Sequence, residues 1–168
     1  GLYGKFPRID KELILQYHEG LIATSCCVGA EIPQAIIEKD LKKAEELVKW
    51  WLDVFGEDFY IEIQRHRGLE DLDIMVDGKR KLSGVSQEDV NQVLLKLAAK
   101  YNIKVIATND SHYVNEDDST AHDMLLCINT GSLVEDTNRF KFSSSDFYFK
   151  TQKEMSQIFT DVPESIEN

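Results

Sequence analysis

Three short apolar runs constrain this chain more than any other feature: "LIATS" (21–25), "DFYIEIQRH" (58–66) and "IKVIATND" (103–110). Each is too short and too β-branched or aromatic for a helix, and each is bounded by polar or turn-forming residues. Between them the period changes to that of a helix. "LKKAEELVKWWLDVF" (41–55) sets Leu41, Ala44, Leu47, Val48, Trp51 and Leu52 on one stripe. Ser86 opens a capping-box-like "SQED" ahead of "DVNQVLLKLAAKYN", and "DDSTAHDMLLCINTG" ends at a helix-stopping Gly131. Asp10 suits the N-cap of "KELILQYH", "EIPQAIIEKD" reads as a short helix, and Pro163 fits a first helical turn in "VPESIEN". Strands over 21–25, 59–65 and 104–109 therefore alternate with helices. That order predicts α/β architecture with parallel strands and outer helices. The polar stretch 67–84 reads as a long connection, of the kind that is often functional or mobile.

Charge and cysteine content narrow the function classes. Lys and Arg number 19 and Asp and Glu 30, a net charge of −11. A surface that tracks nucleic-acid phosphates unaided needs clustered cations, so this balance argues against one. Three cysteines in 168 residues make no disulfide framework, and the adjacent Cys26 and Cys27 are not expected to pair with each other. A reducing, cytosolic setting fits. No apolar run approaches the ~20 residues of a membrane span, and the opening "GLYGKFPRID" has no apolar leader core. "GLYG" and the scattered glycines form no phosphate-binding loop.

The chemistry gathers at the C-terminal ends of the runs. The first ends in Ser25-Cys26-Cys27. The second carries Glu62, Gln64 and His66 on the face opposite Phe59, Ile61 and Ile63. The third ends in Asp110 and His112, with Thr108 before them. Side chains two positions apart on a strand share a face, so Asp110 and His112 are expected to aim at one point. Thiol, carboxylate and imidazole are the donors of a transition-metal site, and barrel enzymes assemble their sites on this edge. Each residue also has a plainer reading. Asp110 can cap a turn, and His112 can lie on the surface. Cys26, Cys27 and Cys127 can be small buried hydrophobes. His66 can bond a backbone carbonyl, and Glu62 and Gln64 can be polar residues of an edge strand. His122 stands four residues after Asp118, a helical ion-pair spacing, and His18 suits a helix C-terminus. The spacing of Asp71, Asp73 and Asp77 is wrong for a calcium loop.

Five stretches together, "HEGLIATSCCVGAEIPQAI", "FYIEIQRH", "NIKVIATNDSHYV", "DDSTAHDMLLCINTG" and "SSSDFYFKTQKEM", resemble in order the PHP (polymerase and histidinol phosphatase) domain of bacterial DNA polymerase III alpha subunits. The resemblance implies a (β/α)7-type barrel, here only its C-terminal half, over 1–130, followed by a connection toward the polymerase palm over 131–168. It implies a cluster of divalent metal ions (Zn, Mn or Mg) at the C-terminal rim of the strands, with Asp110 and His112 matching the family's closing pair and Cys27 its mid-chain cysteine. Where the family pattern often reads "TSGC", this chain reads "TSCC"; Cys26 stands at the glycine and strains the turn if the backbone there is left-handed. Glu62, Gln64 and His66 are not carried over as ligands. The family's His-x-His is absent, so Cys27, Asp110 and His112 make an incomplete ligand set.

The implied function is that of a piece of a replicative DNA polymerase, in a domain with a phosphoesterase or exonuclease-like role or a scaffold role. The implied partners are the rest of the alpha subunit and, through the parent complex, DNA and the proofreading exonuclease subunit; no membrane is implied. In a complete site, bridging metals lower the pKa of a bound water and polarise a phosphoryl oxygen. Two rivals stand beside this reading: a free-standing, histidinol-phosphatase-like PHP phosphoesterase, and a metal-free interaction module. Three strands cannot close a barrel of seven, so this chain alone is expected to expose a sheet edge and to be marginally stable or self-associate.

Overall fold

The computed structural model describes residues 9–168. The readings made on the first eight residues, the missing leader core and the absent phosphate loop in "GLYG", fall outside them. The chain begins with α1 (Lys11–Tyr17), whose Asp10 side chain accepts from the Leu13 N–H at 2.9 Å as its N-cap. β1 (Ala23–Thr24), α2 (Glu31–Ile37), α3 (Leu41–Phe55) and β2 (Phe59–Ile63) follow. A hairpin of β3 (Asp73–Val76) and β4 (Lys79–Leu82) precedes α4 (Gln87–Tyr101) and β5 (Val105–Ala107). The chain ends in α5 (Ser119–Thr130), α6 (Gln152–Ile158) and α7 (Glu164–Glu167).

β1, β2 and β5 form one parallel sheet in the order β1-β2-β5. Among the described residues the sheet is open, as expected of part of a barrel, and β2 is its central strand. Burial alternates strictly along β2, with Phe59, Ile61 and Ile63 each at most 1% exposed. That face packs under Ile32, Ala35, Ile36 and Ile37 of α2, Ala44 and Val48 of α3, and Val90, Leu94, Leu97 and Ala98 of α4. Phe159 and Val162, between α6 and α7, close the same core. The opposite face carries Thr24, Glu62 and Thr108 and is only half-buried.

The caps fall where the sequence placed them. Ser86 and Asp89 form a reciprocal capping box on α4. Gly131 closes α5 with a left-handed backbone, and the His18 ring lies 3.1 Å from the Leu15 carbonyl at the end of α1. Thr151 and Glu154 form a further box on α6.

Several expectations are corrected. The first strand covers two residues rather than 21–25, and Leu21 and Ile22 are exposed, because among the described residues β1 is an edge strand paired only with β2. Leu41 of the α3 stripe is exposed as well, in the first turn beyond the packed stretch. The third strand ends at Ala107, not Asn109. The stretch 67–84 is no structureless connection. It contains an antiparallel hairpin whose tip, Asp77-Gly78, has φ of 52° and 73°. Two left-handed residues match the twist of a two-residue hairpin, and "DG" between alternating residues was its sequence signal.

Candidate metal centre

The polar inner face of the sheet is organised around one carboxylate. Glu62, in the middle of β2, accepts from the Thr24 hydroxyl at 2.6 Å on one oxygen. On the other it accepts from the Thr108 hydroxyl at 2.5 Å and from the Gln64 amide at 2.8 Å. Ser25 extends the ladder beyond β1, its hydroxyl oxygen accepting the Glu62 N–H at 2.8 Å. Glu62 lies on the central strand and the buried Gln64 directly follows its end, so the edge-strand reading does not hold.

Both turns that follow this rung are strained. Cys26 has φ 61° and Asp110 φ 46°, left-handed values that cost a side-chain-bearing residue about 1–2 kcal/mol. The strain foreseen for Cys26 at the family's glycine is therefore present. Hydrogen bonds hold each turn: the Cys26 N–H donates to the Thr24 hydroxyl at 3.1 Å, and the His112 Nδ1 lies 2.6 Å from the Asp110 carbonyl oxygen. Such outliers persist only where the surroundings impose them, and they cluster at functional sites.

Cys27 and Asp110 emerge from these turns to line one open cavity of about 620 Å³, together with Gln64, His66 and Arg80. Cys27 is half-buried; burial pushes its thiol up, and the Cys26 thiol and the Asp110 carboxylate add to the rise. His112 does not line this cavity. Because β5 stops at Ala107 and the backbone turns left-handed at Asp110, strand alternation no longer relates Asp110 to His112. The His112 ring packs 4.7 Å from Phe142 and 5.7 Å from His122, between centroids. Among the described residues no group of three or more His, Cys, Asp and Glu side chains is gathered closely enough to hold a metal ion. The donor chemistry suits a divalent cation, but the described donors do not complete a site.

The remaining candidates have plainer roles. His66 stacks on Phe147, with Nε2 2.9 Å from the Asn109 carbonyl oxygen and Nδ1 3.1 Å from the Gln87 amide. A donor to the carbonyl at one nitrogen and an acceptor from the amide at the other describe a neutral ring, and burial lowers its pKa accordingly. Cys127 is buried in α5, as a small hydrophobe would be, whereas Cys26 is exposed on its turn. The His122–Asp118 pairing does not form: Asp118 turns back to cap Asn115, accepting its N–H at 2.9 Å, and His122 joins the aromatic cluster instead. Burial, then the neighbouring His112, lowers the His122 pKa.

One wall of the cavity was not foreseen. The segment around Phe140–Phe147 lines the cavity, and Asp146 fastens it. Its nearly buried carboxylate accepts from the Arg67 N–H at 2.7 Å and from the guanidinium at 2.6 and 2.9 Å. Burial opposes ionisation, but these bonds outweigh it and hold the Asp146 pKa at about 2. Gly68 permits the close approach, since a Cβ there would meet the Ser143 carbonyl oxygen at 2.8 Å. No spacing in the sequence marked this pair, which is 79 residues apart.

With this geometry in hand, comparison with known proteins decides the family. The PHP domain family model matches residues 1–66. The DNA polymerase III subunit alpha of Borreliella burgdorferi is 43% identical over 162 residues, covering 96% of this chain. That of Thermus aquaticus is also 43% identical over 96% of the chain, and that of Campylobacter jejuni 35% over all of it. The chain belongs with the PHP domains of DNA polymerase III alpha subunits. It spans about an eighth of the length of these relatives, 12–13% of each. The open parallel sheet with helices on its outer face is the arrangement a portion of a PHP barrel requires. Among the described residues no helix is long and apolar enough to cross a membrane.

Proposed function

We propose that this chain is the C-terminal half of a metal-binding PHP domain within a replicative DNA polymerase alpha subunit. Residues 1–130 belong to the barrel and 131–168 lead toward the palm. Cys27, Asp110 and His112 supply part of a ligand set for divalent cations of the Zn, Mn or Mg type, and further donors come from outside the described residues. The observation that carries this reading is the convergence of Cys27 and Asp110, from the ends of two different parallel strands, on one cavity at the C-terminal rim. For His112 to join them, its ring must leave Phe142; its Nε2 takes no protein partner among the described residues and is available as a donor.

The domain then serves phosphoester hydrolysis or acts as a scaffold, while nucleotide addition to DNA resides elsewhere in the parent polymerase and this piece alone catalyses none of it. Its partners are the rest of the alpha subunit and, through the parent complex, DNA and the proofreading exonuclease subunit, in the cytoplasm.

Elemental analysis of the complete alpha subunit, wild type against Asp110→Asn, tests the ligand assignment. Metal retained by the wild type and lost from the variant supports it; equal metal in both overturns it. A coding sequence that stops close after Asn168 would favour the free-standing phosphoesterase instead.

A further inference from the structure

We infer that Glu62 is a positioning residue, which sets the separation between the turns that carry Cys27 and Asp110. The inference builds on the ligand reading above but rests on different contacts. Glu62 lies on the central strand, and its two carboxylate oxygens reach outward in opposite directions along the rung. One takes the Thr24 hydroxyl at 2.6 Å, the other the Thr108 hydroxyl at 2.5 Å. Thr24 is the last residue of β1, and its hydroxyl in turn accepts the Cys26 N–H at 3.1 Å. It thereby holds the left-handed Cys26 that immediately precedes Cys27. Thr108 follows the last residue of β5 and stands two residues before Asp110. Gln64 completes the rung, its amide bonding both Glu62 at 2.8 Å and the Thr108 hydroxyl at 3.1 Å.

A carboxylate is needed here for a specific reason. Each of its oxygens only accepts, so both threonine hydroxyls must point their protons inward and leave their lone pairs for Cys26 and Gln64. A glutamine of the same size presents an N–H to one hydroxyl. That hydroxyl already accepts a hydrogen bond, so its proton loses its partner. Backbone pairing of β1, β2 and β5 does not depend on the rung, because it runs through the ladders at Ala23–Phe59 and Ile61–Val105. Loss of Glu62 therefore loosens the two turns while leaving the sheet and its outer helices in place. Groups that orient ligands from behind affect affinity by about 10- to 100-fold.

Hydrogen–deuterium exchange read by mass spectrometry on the metal-free alpha subunit tests this directly. Glu62→Gln is expected to speed exchange about tenfold in peptides spanning 24–29 and 107–112, with the α3 peptides at 41–55 unchanged. Acceleration in one turn only, in neither, or equally in α3 overturns the inference, since a merely structural role loosens the core as well. Zinc titration of the same proteins, with Cys27→Ser as reference, supplies the second arm. A tenfold or greater loss of zinc affinity in Glu62→Gln supports the inference, and wild-type affinity overturns it if Cys27→Ser is impaired. Equal zinc binding by the wild type and Cys27→Ser removes the ligand reading, and the exchange arm then decides the role of Glu62 alone.

Discussion

Replacing Asp146 by Asn should detach the wall of the cavity from the segment that follows β2, and its size and pH dependence follow from the contacts. The substitution keeps the shape of the side chain but removes the charge that faces the Arg67 guanidinium at 2.6 and 2.9 Å. The carboxyl falls from 3.8 to about 2 on folding, and each unit corresponds to ~1.36 kcal/mol. The full shift is ~2.4 kcal/mol; the Arg67 side chain is 67% exposed, so solvent screening trims this to about 2 kcal/mol. Because the folded pKa lies below the unfolded one, this stability is present above 3.8 and fades as pH falls toward 2. About half of it survives at pH 3 by the same linkage. Urea unfolding at one fixed protein concentration measures it. With a slope of ~2 kcal/mol per molar, the midpoint of Asp146→Asn should drop by about 1 M at neutral pH and by roughly half as much at pH 3. A deficit that is absent at neutral pH, or that does not shrink on acidification, would refute the assignment of Asp146 as an ionised clamp.

Two further outcomes are expected. Cys26→Gly relieves a left-handed side-chain-bearing residue at φ 61°; set against the greater freedom glycine gains when unfolded, it should stabilise the chain by about 0.5 kcal/mol. A lowered urea midpoint would contradict the strain argument. Among the described residues nothing pairs with the outer edge of β1, Leu21 and Ile22 are exposed beside it, and Met124, Leu125 and Ile128 lie bare on α5. The chain alone should therefore associate, with a mass by sedimentation that grows with concentration. A monomer at every concentration would count against an unpartnered edge.

The α/β class was legible because it rests on local periodicity. The stripe on α3, the alternation of Phe59, Ile61 and Ile63, and the caps at Asp10, Ser86 and Gly131 involve residues within a few positions of one another. The hairpin tip at Asp77-Gly78 was equally local, and the general polarity of 67–84 masked it. Cys26 is an intermediate case: its place at a family glycine pointed to a left-handed turn, but only the fold fixed the backbone there.

What the sequence determined by itself is thus the set of elements, the character of each face, and the donor types at the strand ends. Tertiary structure alone decided which of those donors meet. Cys27 and Asp110 share a cavity because β1 and β5 flank β2 in register, while His112 turns away because the strand stops three residues before Asp110. The Glu62 rung and the Arg67–Asp146 clamp join positions 37 to 79 residues apart. Contacts at such separations leave no period in the chain; they exist only once the crossovers have closed and the strands lie side by side.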